Sequence, residues 1–304
     1  MPPPIRGCRG NILNRVLPAP LARKLTALQA LLQTWPRVVV LLSGGVDSSC
    51  LLQAAVEVLG SEVVAVTFTG LHIPAEEVAT ATRLTQALQV YHRVEPFDPF
   101  HLPDFRHNTP VRCYVCKQAL YRRAWEIAVE AGAAAVLDGA NAADAVGDRP
   151  GLQAAAELGV RSPLRETGWQ KEEIRALSHF WNLPTWNAPS QSCLATRFPT
   201  GTPISPTDLQ KVEEVEAWLR QQGLGPLRLR VHGTLVRLEL PPEQWPQVLQ
   251  PERRAALQQR IAAQGWRYLT LDLNGYQSGS MNARPSGATA ATPGSESPPP
   301  ATPP

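Results

Sequence analysis

The sequence predicts an α/β protein, a doubly wound parallel sheet followed by a small α+β domain. Three observations carry this. Residues 38–42 are wholly apolar, and 63–68 and 134–137 nearly so, as expected of strands buried on both faces of a parallel sheet. Helical segments separate these runs, and strand alternating with helix is the pattern of βαβ units. Past about residue 204 the order changes to helix, strand pair, helix, strand.

Taken in order, residues 1–20 carry Pro, Gly and Arg without periodicity and read as a loose arm. The first domain, 21–203, holds the strand at 38–42, a helix over 48–59 and a strand at 63–68. A helix over 74–89, a short strand at 91–94, a helix over 115–131 and the run 134–137 follow. A boundary falls near Pro203-Ile204-Ser205-Pro206. The second domain, 204–280, holds a helix over 206–222, an antiparallel pair at 227–231 and 236–240, a helix over 242–264 and a strand at 268–273. Residues 281–304 are Pro, Ala, Ser, Thr and Gly, which bury too little apolar surface to offset their ordering entropy, and read as a disordered tail. Trp35, Trp125, Trp218, Trp245 and Trp266 fall at helix or strand positions and read as core.

The chain has 304 residues, 43% of them hydrophobic, enough for a sizeable core. A formal charge of +3 without a Lys/Arg stripe argues against nucleic acid as a partner. Five cysteines in this length do not suggest a secreted disulfide scaffold. The N-terminus lacks the apolar segment of a signal peptide, and no apolar run approaches the roughly 18 residues that span a membrane. A cytoplasmic protein is expected.

Ser43-Gly44-Gly45-Val46-Asp47-Ser48-Ser49 joins the first strand to a helix. The physics is that of an anion site. The glycines allow close approach and positive φ, and the helix N-terminus presents free N–H groups and partial positive charge. Ser43, Ser48 and Ser49 add hydroxyl donors. Asp47 would repel phosphate, so it is expected to hold Mg²⁺ or the loop itself. No Gly-Lys-Ser/Thr is present, which excludes a Walker A loop. The plainer alternative is a Ser/Gly turn with Asp47 or Ser48 as N-cap.

Cys113 and Cys116 form a C-x-x-C at a helix start, and Cys193 lies in Pro189-Ser-Gln-Ser-Cys-Leu-Ala-Thr-Arg197. Three thiolates suit three corners of a [4Fe-4S] cluster; a zinc site completed by His107, or unrelated thiols, are the alternatives. Cys50 reads as a buried apolar residue. Arg228 and Arg230 alternate along a strand and share a face. With Glu239 on the next strand and Glu216 on the preceding helix, they could clamp a phosphate and a divalent cation, or form a solvated charged face. Arg197 is a candidate for the adenylate or a substrate phosphate, or an ordinary ion pair. Asp144 and Asp148 read equally as site or turn residues.

The loop resembles the PP-loop of ATP pyrophosphatases of the adenine-nucleotide α-hydrolase-like type, which cleave ATP to AMP and pyrophosphate. Further segments sharpen this. Asp138-Gly-Ala-Asn-Ala-Ala-Asp144, Arg149-Pro-Gly151, Gly159-Val-Arg-Ser-Pro-Leu164, Leu183-Pro-Thr-Trp-Asn187 and the stretch 271–282 are similar to the LarE family, over about residues 20–282. These are the sulfur transferases of the nickel-pincer cofactor. The resemblance implies a small nucleotide substrate, pyridinium-3,5-biscarboxylic acid mononucleotide. ATP with Mg²⁺ adenylates a carboxylate, and sulfur then replaces the activated oxygen. It implies that Cys193 is catalytic, either giving up its own sulfur or sharing a [4Fe-4S] cluster with Cys113 and Cys116, and the three cysteines favour the cluster. It places the substrate phosphate and metal at the Arg228, Arg230, Glu216 and Glu239 group. It also implies a homo-oligomer larger than a dimer. Rival readings are a tRNA-thiolating enzyme, an amidotransferase-type synthetase and a nucleotide-binding module without chemistry.

Overall fold

The computed structural model describes residues 16–145, 150–189 and 191–277. The arm before residue 16 (with Cys8), Asp148 and the tail expected at 281–304 lie outside them. Helix α1 (Ala19–Leu32), begun by prolines whose missing N–H costs nothing there, packs Leu28 and Leu32 inward. Then come β1 (Val38–Leu41), α2 (Val46–Leu59), β2 (Val63–Thr69), α3 (Ala75–Leu88) and β3 (Tyr91–Pro96). After the short turn α4 (Pro103–Arg106), helix α5 (Arg112–Glu130) leads to β4 (Ala135–Leu137). Three further helices follow: α6 (Pro150–Glu157), α7 (Pro163–Glu166) and α8 (Lys171–Phe180).

The four strands form one parallel sheet in the order β3-β2-β1-β4, with Val39 of β1 paired to Val64 on one side and Val136 on the other. Because side chains alternate across a strand, the two faces bury different sets. Val38 and Val40 join Leu28, Leu51, Leu52, Ile174 and Leu177 under α1, α2 and α8. Val39, Val64 and Val66 join Tyr121, Ala124 and Ile127 of α5. Strand order reverses between β1 and β4, so ligands are expected at the carboxyl ends of that pair.

The second unit opens with α9 (Pro206–Gln221), started by a reciprocal capping box between Ser205 and Asp208. Antiparallel β5 (Arg228–His232) and β6 (Leu235–Glu239) set Arg228 opposite Glu239. The single helix expected over 242–264 is broken into a turn, α10 (Trp245–Leu249) and α11 (Pro251–Ala263). Pro251 has no N–H to continue α10 and holds Gln250 in extended backbone (φ −54°, ψ 136°). The crossover returns β7 (Tyr268–Leu271) parallel to β6. The core of this unit also takes in Phe105, Leu194, Ala195 and Phe198 from the first part of the chain, so the segment carrying Cys193 packs into it. Of the tryptophans, Trp266 is buried and Trp35, Trp125, Trp218 and Trp245 pack against the cores. Among the described residues no helix is long and apolar enough to cross a membrane.

Candidate active site

The loop from Ser43 to Ser49 lies beyond the end of β1, at the switch point. Gly44 has φ +78°, and a Cβ there would stand 2.4 Å from the Glu77 carbonyl oxygen. Gly139, after β4, passes so close to α2 that a Cβ would lie 2.8 Å from the Ser48 nitrogen. The loop is thus gripped between α3 and the β4 loop. Inside it the Ser43 N–H donates to the Ser48 hydroxyl (3.2 Å), which bonds the Ser43 hydroxyl (3.1 Å) and the Gly45 carbonyl (3.2 Å). Gly45 stands in extended backbone as the N-cap of α2. Ser49 is wholly buried and its hydroxyl has no partner. Asp47, in the first turn of α2, accepts from the ammonium of Lys171; its other carboxylate oxygen is buried without a hydrogen-bond partner.

Gly44→Ala should therefore cost stability twice. The left-handed backbone alone costs about 1–2 kcal/mol, and the clash with the Glu77 carbonyl adds to it. Gly45→Ala, at φ −80° and meeting only the Ser43 hydroxyl at 3.4 Å, should unfold near the wild-type midpoint. Urea unfolding of both variants checks this, and equal midpoints would contradict the tight fit at Gly44.

Glu77, in the first turn of α3, connects this loop to the rest of the site. Burial pushes its carboxyl up to about 7 against the opposing pull of Arg197 and Arg228. Lys117, one residue after Cys116, also acts on it. The Lys117 side chain is exposed. It lies 5.2 Å from the Tyr121 ring centroid and is raised by Tyr121 and by Asp138. Asp138 in turn accepts from the Tyr121 hydroxyl (3.0 Å), the Ser162 hydroxyl (2.6 Å) and the Ala140 N–H (3.2 Å). Sequence reading passed over Glu77, Lys117 and Lys171; only the place of Lys117 beside the C-x-x-C was a signal.

Cys113 and Cys116 occupy the first turn of α5, Cys113 exposed and Cys116 half-buried against the second core. Cys193 opens a short 3-10 turn, Leu194–Arg197, whose start is pinned by the Leu194 N–H donating to the His72 carbonyl (2.9 Å). Burial pushes the Cys116 thiol up to about 12, with Cys193 adding to the rise, and the Cys193 thiol up to about 11, with Cys113 adding. The three sulfurs therefore share one electrostatic neighbourhood. Among the described residues no group of three or more His, Cys, Asp or Glu side chains is arranged to hold a metal ion. Cys50 is fully buried in α2, as expected of an apolar residue.

The charged group of the second unit is built differently from the expected clamp. Arg197 is wholly buried and forks onto Glu216, Nε to Oε1 and Nη2 to Oε2, both at 2.9 Å. Its third nitrogen donates to the Ser192 carbonyl (3.0 Å), the Ser192 hydroxyl (2.8 Å) and the Thr196 hydroxyl (3.0 Å). Instead of meeting a phosphate, Arg197 binds the Cys193 turn to α9. Glu216, expected on a cation, is taken up by Arg197, the Leu229 N–H (2.8 Å) and Arg220 (3.3 Å). Glu239 accepts from Arg230 (3.0 Å) and Arg237 (3.1 Å). Arg230 also donates to the Thr196 carbonyl (2.8 Å). Arg228 donates to the Leu227 carbonyl (2.8 Å) and lies 5.2 Å from the Tyr276 ring centroid. Burial, with Arg197 adding, lowers Arg228; burial also lowers Arg230, against the pull of Glu239. A cleft of about 850 Å³ reaches Arg228, Gln191, Glu213 and Arg220.

The chain shares 36% identity with pyridinium-3,5-bisthiocarboxylic acid mononucleotide synthase of Lactiplantibacillus plantarum, over 87% of this chain and 95% of that one. This chain belongs to the LarE family. A second relative, an uncharacterized protein of Synechocystis, is 38% identical over 86% of this chain and 98% of its own. An uncharacterized protein of Methanocaldococcus jannaschii is 34% identical over 44% of this chain and 52% of its own. The family model for the queuosine biosynthesis protein QueC matches residues 37–109, the stretch that holds the loop and the parallel strands β1 to β3. The fold is thus the PP-loop α/β fold, and the LarE family is one of ATP-using PP-loop enzymes.

Proposed function

We propose that this protein performs ATP-dependent sulfur insertion, turning the carboxylates of pyridinium-3,5-biscarboxylic acid mononucleotide into thiocarboxylates. The observation that carries the reading is Glu77. Its carbonyl abuts Gly44 of the nucleotide loop, and its carboxyl lies in the field of Arg197, Arg228 and Lys117. Lys117 in turn acts on the Cys116 thiol, which supports reading nucleotide loop, arginines and thiols as parts of one site.

The chemistry follows from leaving groups. A carboxylate oxygen leaves badly and AMP leaves well, so adenylation precedes sulfur attack. The substrate carboxylate attacks the α-phosphorus of ATP. The bond to the β-bridging oxygen breaks, and pyrophosphate departs with the electron pair. The loop amides and the N-terminus of α2 neutralise the phosphates. Arg228 and Arg230, both buried cations, attract the phosphate of the mononucleotide.

Cys113, Cys116 and Cys193 are the residues that would hold a [4Fe-4S] cluster; the donor set is chemically apt, three soft sulfurs in one neighbourhood. Bound there, the cluster would supply an iron open to exogenous sulfide. Asp47 is the residue that would meet Mg²⁺, since one of its oxygens is buried without a hydrogen-bond partner.

Pyrophosphate release is the test. It is expected to require ATP and the pyridinium dicarboxylate nucleotide together, and the product should show one oxygen-to-sulfur exchange per carboxylate by mass. ATP turnover driven by a tRNA or by ammonia, and not by this nucleotide, would overturn the reading.

A further inference from the structure

Cys113 and Cys193 lie on segments far apart in sequence, and one enclosed side chain joins those segments. Asn108, in the approach to α5, is wholly buried and stands in left-handed backbone at φ +54°. Its Nδ2 donates to the Pro199 carbonyl (2.8 Å) and at longer range to the Phe198 carbonyl (3.5 Å). Its main-chain carbonyl accepts from the Gly201 N–H (2.8 Å). On the other side its Oδ1 accepts from the guanidinium of Arg112, the residue before Cys113. We propose that Asn108 and Arg112 are positioning residues for sulfur transfer, a bracket that keeps the C-x-x-C turn and the Cys193 turn side by side. This rests on the shared-thiol reading above.

Three features support it. Asn108 is fully engaged, since its own N–H donates to the Phe105 carbonyl (3.0 Å) and both side-chain polar atoms are bonded. Asparagine also enters left-handed backbone more readily than most side chains, so the turn and the bonds call for the same residue type. Next, the strap is continued by the Ile204 N–H, which donates to the Arg106 carbonyl (2.9 Å) at the end of α4. The Cys193 turn itself is tied elsewhere, by Leu194 to His72 and by Arg197 to Glu216. Asn108 therefore adds what those contacts do not, a link from that turn to the start of α5. Finally, Arg112 is only 9% exposed, and its guanidinium opposes the rise that burial imposes on the Cys116 and Cys193 thiols. A buried cation there offsets the negative charge that gathers when several thiolates meet at one centre.

Cobalt(II) is the probe, because its sulfur-to-metal charge-transfer band grows with each thiolate bound. It is titrated anaerobically into the reduced, full-length protein, with urea unfolding followed alongside. The wild-type band should shrink in Cys193→Ala. Asn108→Gly keeps the left-handed backbone and removes the side-chain bonds. It should bind cobalt roughly ten- to a hundredfold more weakly, the range for losing a partner that orients metal ligands, with its band reduced to that of Cys193→Ala. Leu28→Ala, which opens a cavity in the first core, isolates the effect of stability alone. It should lower the urea midpoint and leave cobalt affinity unchanged. Unchanged cobalt binding in Asn108→Gly would overturn the proposal, and so would an equal loss in Leu28→Ala. A wild-type band that does not respond to Cys193→Ala would instead remove the shared-thiol reading itself, and the bracket with it.

Discussion

Replacing Arg197 by alanine should destabilise the protein by about 3–5 kcal/mol, the cost of leaving a buried carboxylate without its partner. Glu216 is wholly enclosed and would keep only Arg220 and the Leu229 N–H. Burial alone would raise its carboxyl, but the Arg197 guanidinium overrides that and holds it below the usual glutamate range. The sign follows: a depressed carboxylate stabilises the fold above its unfolded pKa, and that stability is lost as pH falls through the folded value. Wild type should lose the contribution only in acid, and Arg197→Ala should lack it at neutral pH. Replacing the pair together, Arg197→Met with Glu216→Gln, should cost much less than the sum of the single changes. A loss below about 1 kcal/mol in Arg197→Ala by urea unfolding would mean the pair behaves like an exposed one. The variant should also slow sulfur transfer at a given folded fraction, since the third guanidinium nitrogen holds Ser192 and Thr196 on either side of Cys193.

The parallel sheet was legible because β1, β2 and β4 are mostly apolar on both faces, and Ser43–Ser49 because a strand, two glycines and a helix start stand together. Partner choice was not legible. Arg228 and Arg230 share a face, as their alternation implies, but Glu239 is claimed by Arg230 and Arg237, and Glu216 by an arginine 19 residues before it. Alternation along a strand sets orientation; which opposite charge lies within reach depends on how α9, the Cys193 turn and β5 pack. Lys171 was invisible for the same reason, since nothing near it in sequence points to Asp47. The break at Pro251 was readable, because a proline cannot extend the helix before it. Glu77 had no local signal at all: its raised carboxyl arises from burial beside the loop and from cations on other elements.

Loss of Cys193 should abolish thiocarboxylate formation while ATP-driven pyrophosphate release survives, because the proposed function puts adenylation on the loop after β1 and has the thiol act only on the adenylate. The larger question is where the sulfur comes from, and variants of the other two cysteines test the proposed cluster. With the three thiols sharing a cluster, Cys113→Ala and Cys116→Ala should each lose iron and acid-labile sulfide after anaerobic purification, and with them the product, at unchanged pyrophosphate release. Cys113 makes this a clean test. It is exposed on the first turn of α5, so truncating it leaves no cavity in the core. A sacrificial thiol predicts the opposite. Cys113 and Cys116 would be dispensable, and the protein would turn over once, losing the mass of one H₂S at residue 193 as dehydroalanine forms. Intact-mass measurement on the single-turnover mixture separates the two. Unchanged protein mass, with sulfur in the product and iron in the protein, is the expected result. Dehydroalanine at 193 in iron-free protein, with Cys113→Ala fully active, would remove the cluster and leave adenylation as the function of the loop.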